Sequence, residues 1–288
     1  MDIADTRALS ATIEGVGFWT NGLPSWAAAR AFVYDGALPP DAPARPSPQM
    51  LAPNERRRAP ETVAVALEVA QAACEAAGRE AAALPSVFAS THGDLAITDY
   101  MCATLAGDPR SVSPTRFHNS VHNAAAGYWT IGTGAMQPAT AISAFDATFA
   151  QGLLEALVQL DSGSDAVLLV AYDSQATGPL ATVTPSHGLL GAALVLSRHE
   201  RAGAPRLQAY FADGDAVEGA GALARHARGN AMAPMLPLFD ALARNEARAM
   251  LRAGPGRVMH IAIARAASGE AESPPAATDS TVTSRNAT

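Results

Sequence analysis

The stretch AISAFDATFAQGLLEAL, residues 141–157, joins a strand-like segment to a helix-like segment, and Asp146 stands at the break. A tight turn from a strand into a buried helix is a geometry that commonly displays a reactive side chain. A carboxylate there could act as the nucleophile or base of a hydrolase. It could also cap the helix predicted at 147–160, a role that stabilises a helix by about 1 kcal/mol. We favour the capping role for Asp146.

Three further side chains have types that could carry chemistry. His118 and His122 in FHNSVHN have the spacing of two zinc ligands on one helix face, but no HExxH glutamate or third carboxylate follows. Cys102 in MCATL falls inside a predicted helix, not at a strand-to-helix turn. We therefore expect no metal site, packing or hydrogen-bonding roles for the histidines, and a buried or interface thiol at Cys102.

The composition excludes several functional classes. All 20 Lys+Arg residues are arginine, so the chain has no lysine for a Schiff base or a standard P-loop. The segments GVG (15–17) and GTG (132–134) lack the full GxGxxG pattern of a dinucleotide site. The net charge of −7 argues against nucleic-acid binding. We expect no cofactor.

The same sequence gives expectations about location. No stretch approaches 18 uninterrupted apolar residues, and the N-terminus lacks the basic-then-apolar layout of a secretory signal. We expect a cytoplasmic protein with no membrane span. The two cysteines suggest no disulfide framework, so both thiols should be reduced.

Strand-like and helix-like segments alternate before the chain reaches residue 198. Helices are predicted at 60–80, 94–107 and 147–160, the last with an apolar circumference broken by one polar stripe. The strand predictions are LSATIEGVGFWT (9–20), LPSVFAST (84–91), QPATAISAF (137–145), DAVLLVAYD (165–173) and GAALVLSR (191–198). This βαβαβαββ order predicts an α/β fold with a mixed, mostly parallel sheet covered by helices on both faces.

The remaining segments are less regular. The proline-rich piece that follows the first strand reads as a surface excursion. Beyond residue 198, PRLQAYFADG and GRVMHIAIARA read as strands separated by a helix around 238–251. The polar segment 269–288 reads as a disordered tail.

The segment SPTRFHNSVHNAAAGYWTIGTGAMQPATAISAFDATF (113–149) resembles, without a gap, the region before the active site of β-ketoacyl synthases of the thiolase-like superfamily. The matching positions are Ser113-Pro114, Asn123, Ala126-Gly127, Thr130-Ile131, Gly134, Pro138 and Ile142. The resemblance covers roughly residues 9–200. It implies a thiolase-like half-fold over 1–200, a reduced C-terminal extension of the same domain over 201–268, and a layered α/β/α arrangement.

The resemblance also implies that the catalytic groups are missing. In that family the strand-to-helix turn carries the cysteine that accepts the acyl group, and Asp146 stands in its place. His260 lies in an apolar strand without the glycines and threonines of the family's histidine motif, and we assign it no catalytic role. The chain most resembles the short chain length factors of aryl-polyene and xanthomonadin-type pathways, which pair with a complete ketosynthase.

That resemblance implies a heterodimer with a catalytic β-ketoacyl synthase, which reaches acyl carrier protein through the complex. Residues 139–145 should lie at the subunit interface, and 113–123 close to the partner's acyl pocket. Arg56–Arg58 could dock a carrier protein or form a solvated rim. We expect tunnel or interface positions for Cys102, Arg116, His118, Asn119, His122, Phe145, Asp146, Thr148 and Phe149.

Two alternatives stay open from the sequence. One is a stand-alone acyltransferase or hydrolase that uses Asp146, His118 or Cys102. The other is a homodimeric protein that binds acyl chains or carrier proteins without a ketosynthase partner.

Overall fold

The strand predicted at 9–20 forms with the same bounds in the computed structural model, which describes residues 8–265. Seven further strands join it in a single sheet. The strands are β1 Leu9–Thr20, β2 Ser86–Ala89, β3 Ala139–Ile142, β4 Ala166–Asp173, β5 Leu190–Ser197, β6 Pro205–Asp213, β7 Arg248–Gly254 and β8 Arg257–Arg265. Their order across the sheet is β3-β2-β4-β5-β1-β6-β8-β7.

The α/β class and the βαβαβαββ order are confirmed, and the sheet is mixed. The parallel pairings of the described strands are those of β2 with β3 on one side and with β4 on the other. All other pairings of the described strands are antiparallel. The parallel part is therefore smaller than expected, because β5 returns directly beside β4 and the later strands add as antiparallel neighbours.

Ten helices surround this sheet in the described part of the chain. They are α1 Trp26–Asp35, α2 Pro53–Arg58, α3 Glu61–Ala77, α4 Leu95–Gly107, α5 Pro114–Asn119, α6 Ala124–Thr133, α7 Thr148–Asp161, α8 Leu180–Val183, α9 Ala222–His226 and α10 Leu236–Arg244. No helix among the described residues is long and apolar enough to cross a membrane.

Two helix predictions need correction. The piece after β1 is not only a surface excursion, because α1 forms between a Ser25 side-chain cap and a left-handed Gly36. The helix expected around 238–251 ends at Arg244, where Asn245 adopts a left-handed conformation. The residues that follow turn back into the sheet as β7.

The sheet has an apolar cluster on each face. Every residue of β4 and β5 is buried, as their uninterrupted apolar runs predict. The helix α3 packs on one face, and α7 and α10 pack on the other. Glycines allow the close contact with α3: a Cβ at Gly17 would overlap the backbone of Val69.

The C-terminal strands extend the same sheet, since β6 pairs with β1 and continues into β8 and β7. The edge strand β7 also reaches α7, where Gln151 Nε2 donates to the carbonyl oxygen of Ala253 at 2.9 Å. The division into segments 1–200 and 201–268 remains a prediction. The predicted tail, 269–288, lies outside the described residues.

Candidate functional site

The strand-to-helix turn predicted around Asp146 is present between β3 and α7. It consists of a short 3-10 turn over Phe145–Ala147, in which Phe145 has a positive φ of 51°. The buried Thr148 hydroxyl braces it, accepting from the Ala144 backbone N–H at 2.9 Å and donating to the Phe145 carbonyl at 2.6 Å. A bulky residue in the left-handed region is uncommon and tends to occur at functional sites.

Asp146 does not cap α7, and this part of the prediction is wrong. Ala147 occupies the cap position, without a side-chain cap bond. The 3-10 turn holds Asp146 before the helix, and its Oδ2 accepts instead from Arg252 Nη1 of β7 at 2.7 Å. Both side chains are about half exposed, so the ion pair contributes about 1 kcal/mol at most.

Neither cysteine lies at this turn. Cys74 is buried in α3, where burial raises the pKa of its thiol to about 12 and keeps it protonated at neutral pH. Cys102 lies within α4 and is exposed in this chain. A helix interior offers none of the N-terminal N–H groups that favour a thiolate.

A cavity of about 290 Å³ opens beside Asp146. Arg228, Arg252 and Glu218 bring charge to its lining, and most of the other lining residues are apolar. The cavity joins the turn before α7 to segments that follow β6. Sequence reasoning missed these arginines because they lie in the region that no motif anchored.

The predicted histidines do not form a metal site. His122 lies beyond the end of α5, and its Nε2 is 2.8 Å from the Ser90 carbonyl oxygen. His118 is exposed, and its ring lies edge-on to Tyr128 at a centroid distance of 6.2 Å. No group of three or more potential metal-binding side chains occurs among residues 8–265.

Arg116 and Asn119 contribute to a second cavity, of about 600 Å³, together with Arg58. The Arg116 guanidinium lies 3.9 Å from the centre of the Tyr100 ring. Asn119 is 4% exposed, and its Oδ1 has no hydrogen-bond partner within the described part of the chain. These two predicted residues are therefore neighbours, whereas the Asp146 cavity is lined by a different set.

Phe149, which was also expected in a tunnel or interface, is buried in the core of this chain. Its ring lies 5.9 Å from that of Phe239 on α10. His260, on β8, stacks on Tyr210 at 5.1 Å and does not line the Asp146 cavity.

Sequence reasoning also missed Asp173, the last residue of β4. It is 1% exposed and accepts from the Ser90 hydroxyl at 2.8 Å, Thr91 N–H at 3.0 Å and His92 N–H at 3.3 Å. Burial raises the pKa of its carboxyl group above the ordinary value. An acidic residue at the end of a fully apolar strand was the available signal, and the side chain anchors the turn after β2.

Strand β3 has a free edge, because it pairs only with β2 among the described strands. Large hydrophobic side chains are exposed beside it in the chain, including Met136 at 95% and Ile131 at 82%. We call this the β3 surface; its members are Ile131, Met136, Phe145 and strand β3 itself. An unpaired edge with exposed apolar side chains beside it is typical of an interaction site.

Comparison with known proteins adds a family and a fold. Residues 25–257 match the family model described as the β-ketoacyl synthase N-terminal domain. None of the curated proteins searched matches the chain.

Solved structures match over most of the chain. One is from a ketosynthase in complex with its chain length factor from Xenorhabdus doucetiae, with a TM-score of 0.70 and 22% identity over 88% of this chain and 99% of that chain. Another is the ishigamide ketosynthase/chain length factor, with a TM-score of 0.66 and 14% identity over 88% and 99%. A third contains a type II polyketide acyl-carrier protein in complex with its ketosynthase bound to the hexaketide. Its TM-score is 0.67, and its sequence identity is 13% over 90% of this chain and 100% of that chain. At these identities the likeness is one of fold.

Proposed function

The chain belongs to the β-ketoacyl synthase N-terminal domain family and has a thiolase-like fold, and we propose that it is a non-catalytic member that pairs with an active ketosynthase. In this proposal the pair elongates acyl chains on carrier proteins in a polyene, polyketide or fatty-acid-type pathway, with aryl-polyene synthesis as the specific candidate. This chain shapes the tunnel in which the product grows.

The observation that carries the proposal is the side chain at the turn before α7. Asp146 occupies the position that the sequence resemblance assigns to the nucleophilic cysteine, and it is bound to Arg252. An ionised carboxylate is a poor acceptor for an acyl group from a thioester. The buried Cys74 and the mid-helix Cys102 offer no replacement thiol at this turn.

The β3 surface supports the pairing. Helix α4 is largely apolar, yet Leu95 is its one buried residue in this chain. Covering Met136, Ile131 and Phe145 together with the free edge of β3 would remove exposed apolar area and satisfy unpaired backbone groups. A partner subunit with a matching edge strand does both.

Phe145 is the best candidate for limiting product length. Its side chain is 76% exposed at the tip of the turn, and its backbone adopts the left-handed conformation that is uncommon for a bulky residue. In the proposed pair Phe145 borders the partner's acyl tunnel. Arg116, His118 and Asn119 are proposed to line the same region from α5.

The three arginines of α2 are the proposed contact for an acidic carrier protein. Arg57 and Arg58 are exposed, and Arg56 is half-buried, donating to the Leu51 carbonyl at 2.9 Å. Electrostatic attraction by such a cluster would mainly speed the encounter with a carrier protein.

Reconstitution tests this function. Acyl and malonyl carrier protein are supplied to three samples: the chain alone, the full-length ketosynthase from the same gene neighbourhood alone, and the mixture of both. We expect carbon dioxide release and long products from the mixture, and none from the chain alone. Phe145→Ala should lengthen the products, whereas Val158→Ala, at the far end of α7, should not. Turnover of an acyl thioester by the purified chain alone would contradict the proposal.

A further inference from the structure

The second cavity, of about 600 Å³, has two arginines in its lining. Neither Arg58 nor Arg116 makes an ion pair with any residue that the structure describes. The Arg116 guanidinium lies over the Tyr100 ring at 3.9 Å, a contact that leaves its N–H donors available for an acceptor that enters the cavity.

The two acidic residues of the same lining already have partners. Asp94 Oδ1 accepts from the Ile97 backbone N–H at 2.9 Å, and its Oδ2 accepts from the Thr62 hydroxyl at 2.8 Å. Glu61 Oε1 lies 3.5 Å from Arg45 Nε. The uncompensated charge of this cavity is therefore positive, and it favours an anionic group.

Asn119 adds a buried acceptor to the lining. Its side chain is 4% exposed, and its Oδ1 has no hydrogen-bond partner among residues 8–265. A buried acceptor of this kind gains a hydrogen bond when an N–H group reaches it. A bare inorganic anion has no N–H group, whereas a protein segment carries carboxylates and backbone N–H groups together.

Exposed apolar side chains follow in the same part of the chain. Phe117 on α5 is 61% exposed, and Val121, four residues later, is 49% exposed. The chain then leads through α6 into the β3 surface. A small anion would leave these side chains in water, whereas a protein surface would bury them. The combination fits a protein partner that also covers the β3 surface.

We propose that the cavity lined by Arg116 and Asn119 is a socket for an acidic segment of the partner ketosynthase. A carboxylate of that segment binds Arg116, one of its backbone N–H groups donates to Asn119 Oδ1, and Arg58 adds positive charge from α2. The socket rests on the pairing proposed above and adds the chemistry of the partner's contact segment. Arg116 and Asn119 then contact the protein that walls the tunnel.

Asn119→Leu separates a socket from a structural role. The substitution removes the unpaired acceptor at similar volume, so the free energy of unfolding of the lone chain should be unchanged or higher. Titration of the full-length ketosynthase should nevertheless show a Kd about fivefold higher or more. A merely structural Asn119 would give the reverse, a less stable chain with an unchanged Kd.

Charge variants test the carboxylate contact. Arg116→Gln should raise the Kd for the ketosynthase about tenfold, and Arg116→Glu should raise it further. Arg30→Gln is the matched control, because α1 packs on the opposite face of the sheet from α3, and it should leave the Kd unchanged. Ketosynthase variants selected for pairing with Arg116→Glu should carry Lys or Arg in place of Asp or Glu.

The outcomes distinguish this socket from the pairing itself. Failure of the unmodified chain to bind the ketosynthase would refute the pairing and the socket together. Pairing that is unchanged by Arg116→Glu and by Asn119→Leu would overturn the socket alone. Weaker binding of acyl carrier protein by Arg116→Gln, with unchanged affinity for the ketosynthase, would also overturn it, because the cavity would then receive the carrier protein.

Discussion

Replacing Met136 by alanine tests whether the β3 surface binds the partner subunit. Met136 is 95% exposed, so truncating it removes almost no packing from this chain, whose stability should change by less than about 0.5 kcal/mol. Fully burying a methionine side chain is worth about 1.5–3 kcal/mol, and the alanine retains part of that gain. The association free energy should therefore weaken by about 1–2 kcal/mol, or about 5- to 30-fold in Kd.

The assay is a titration of the ketosynthase with each purified variant, read by calorimetry or surface plasmon resonance. Val158→Ala is the matched control, because Val158 is 43% exposed and lies near the opposite end of α7 from the turn. Adding Ile131→Ala to Met136→Ala should weaken binding further. An unchanged Kd in the double variant would refute the assignment of this surface to the partner.

Four other substitutions test separate parts of the proposed fold and function. Asp146→Cys, purified alone, should release no carbon dioxide from malonyl carrier protein, because a thiol at the turn still lacks the histidines of the family; release would contradict the non-catalytic assignment. Gly17→Ala should lower the free energy of unfolding by about 3 kcal/mol or more, since its Cβ would overlap the backbone of α3. In contrast, Gly127→Ala should raise the free energy of unfolding by about 0.5–1 kcal/mol, because nothing lies within 4 Å of a Cβ added at Gly127 on α6. Equal effects of the two substitutions in denaturant unfolding would refute the packing of α3 against β1. Burial raises the pKa of Asp173 above 3.8, so its contribution to stability is complete below that pH and is lost as the pH rises through the higher folded-state pKa. Asp173→Asn should therefore lose less stability than the unmodified chain as the pH rises above 3.8 in urea unfolding, and identical pH profiles would contradict this cause.

The strands that were easiest to predict from the sequence are those buried on both faces, because their residues form continuous apolar runs. The apolar runs that became β4 and β5 could be read directly, because both faces of these strands are covered. Strand β7, RAMLRAG, was missed because its residues favour helix as readily as strand. Its pairing with β8 decides the conformation, and no local pattern reports that pairing.

The candidate site was also predictable only in part. The turn before α7 was predictable from the change of period around Asp146. The partner of Asp146 was not, because Arg252 lies 106 residues further along the chain. The buried Asp173 likewise binds groups more than 80 residues away. Thus the position of the turn that carries Asp146 could be read from sequence, whereas the groups around Asp146 required the fold.

The central claim is that this chain pairs with a catalytic ketosynthase, and native mass measurement tests it most directly. The chain is measured alone and after co-expression with the full-length ketosynthase from the same gene neighbourhood. We predict a one-to-one complex, with the lone chain aggregating or associating poorly with itself. A stable homodimer that takes up no ketosynthase would contradict it.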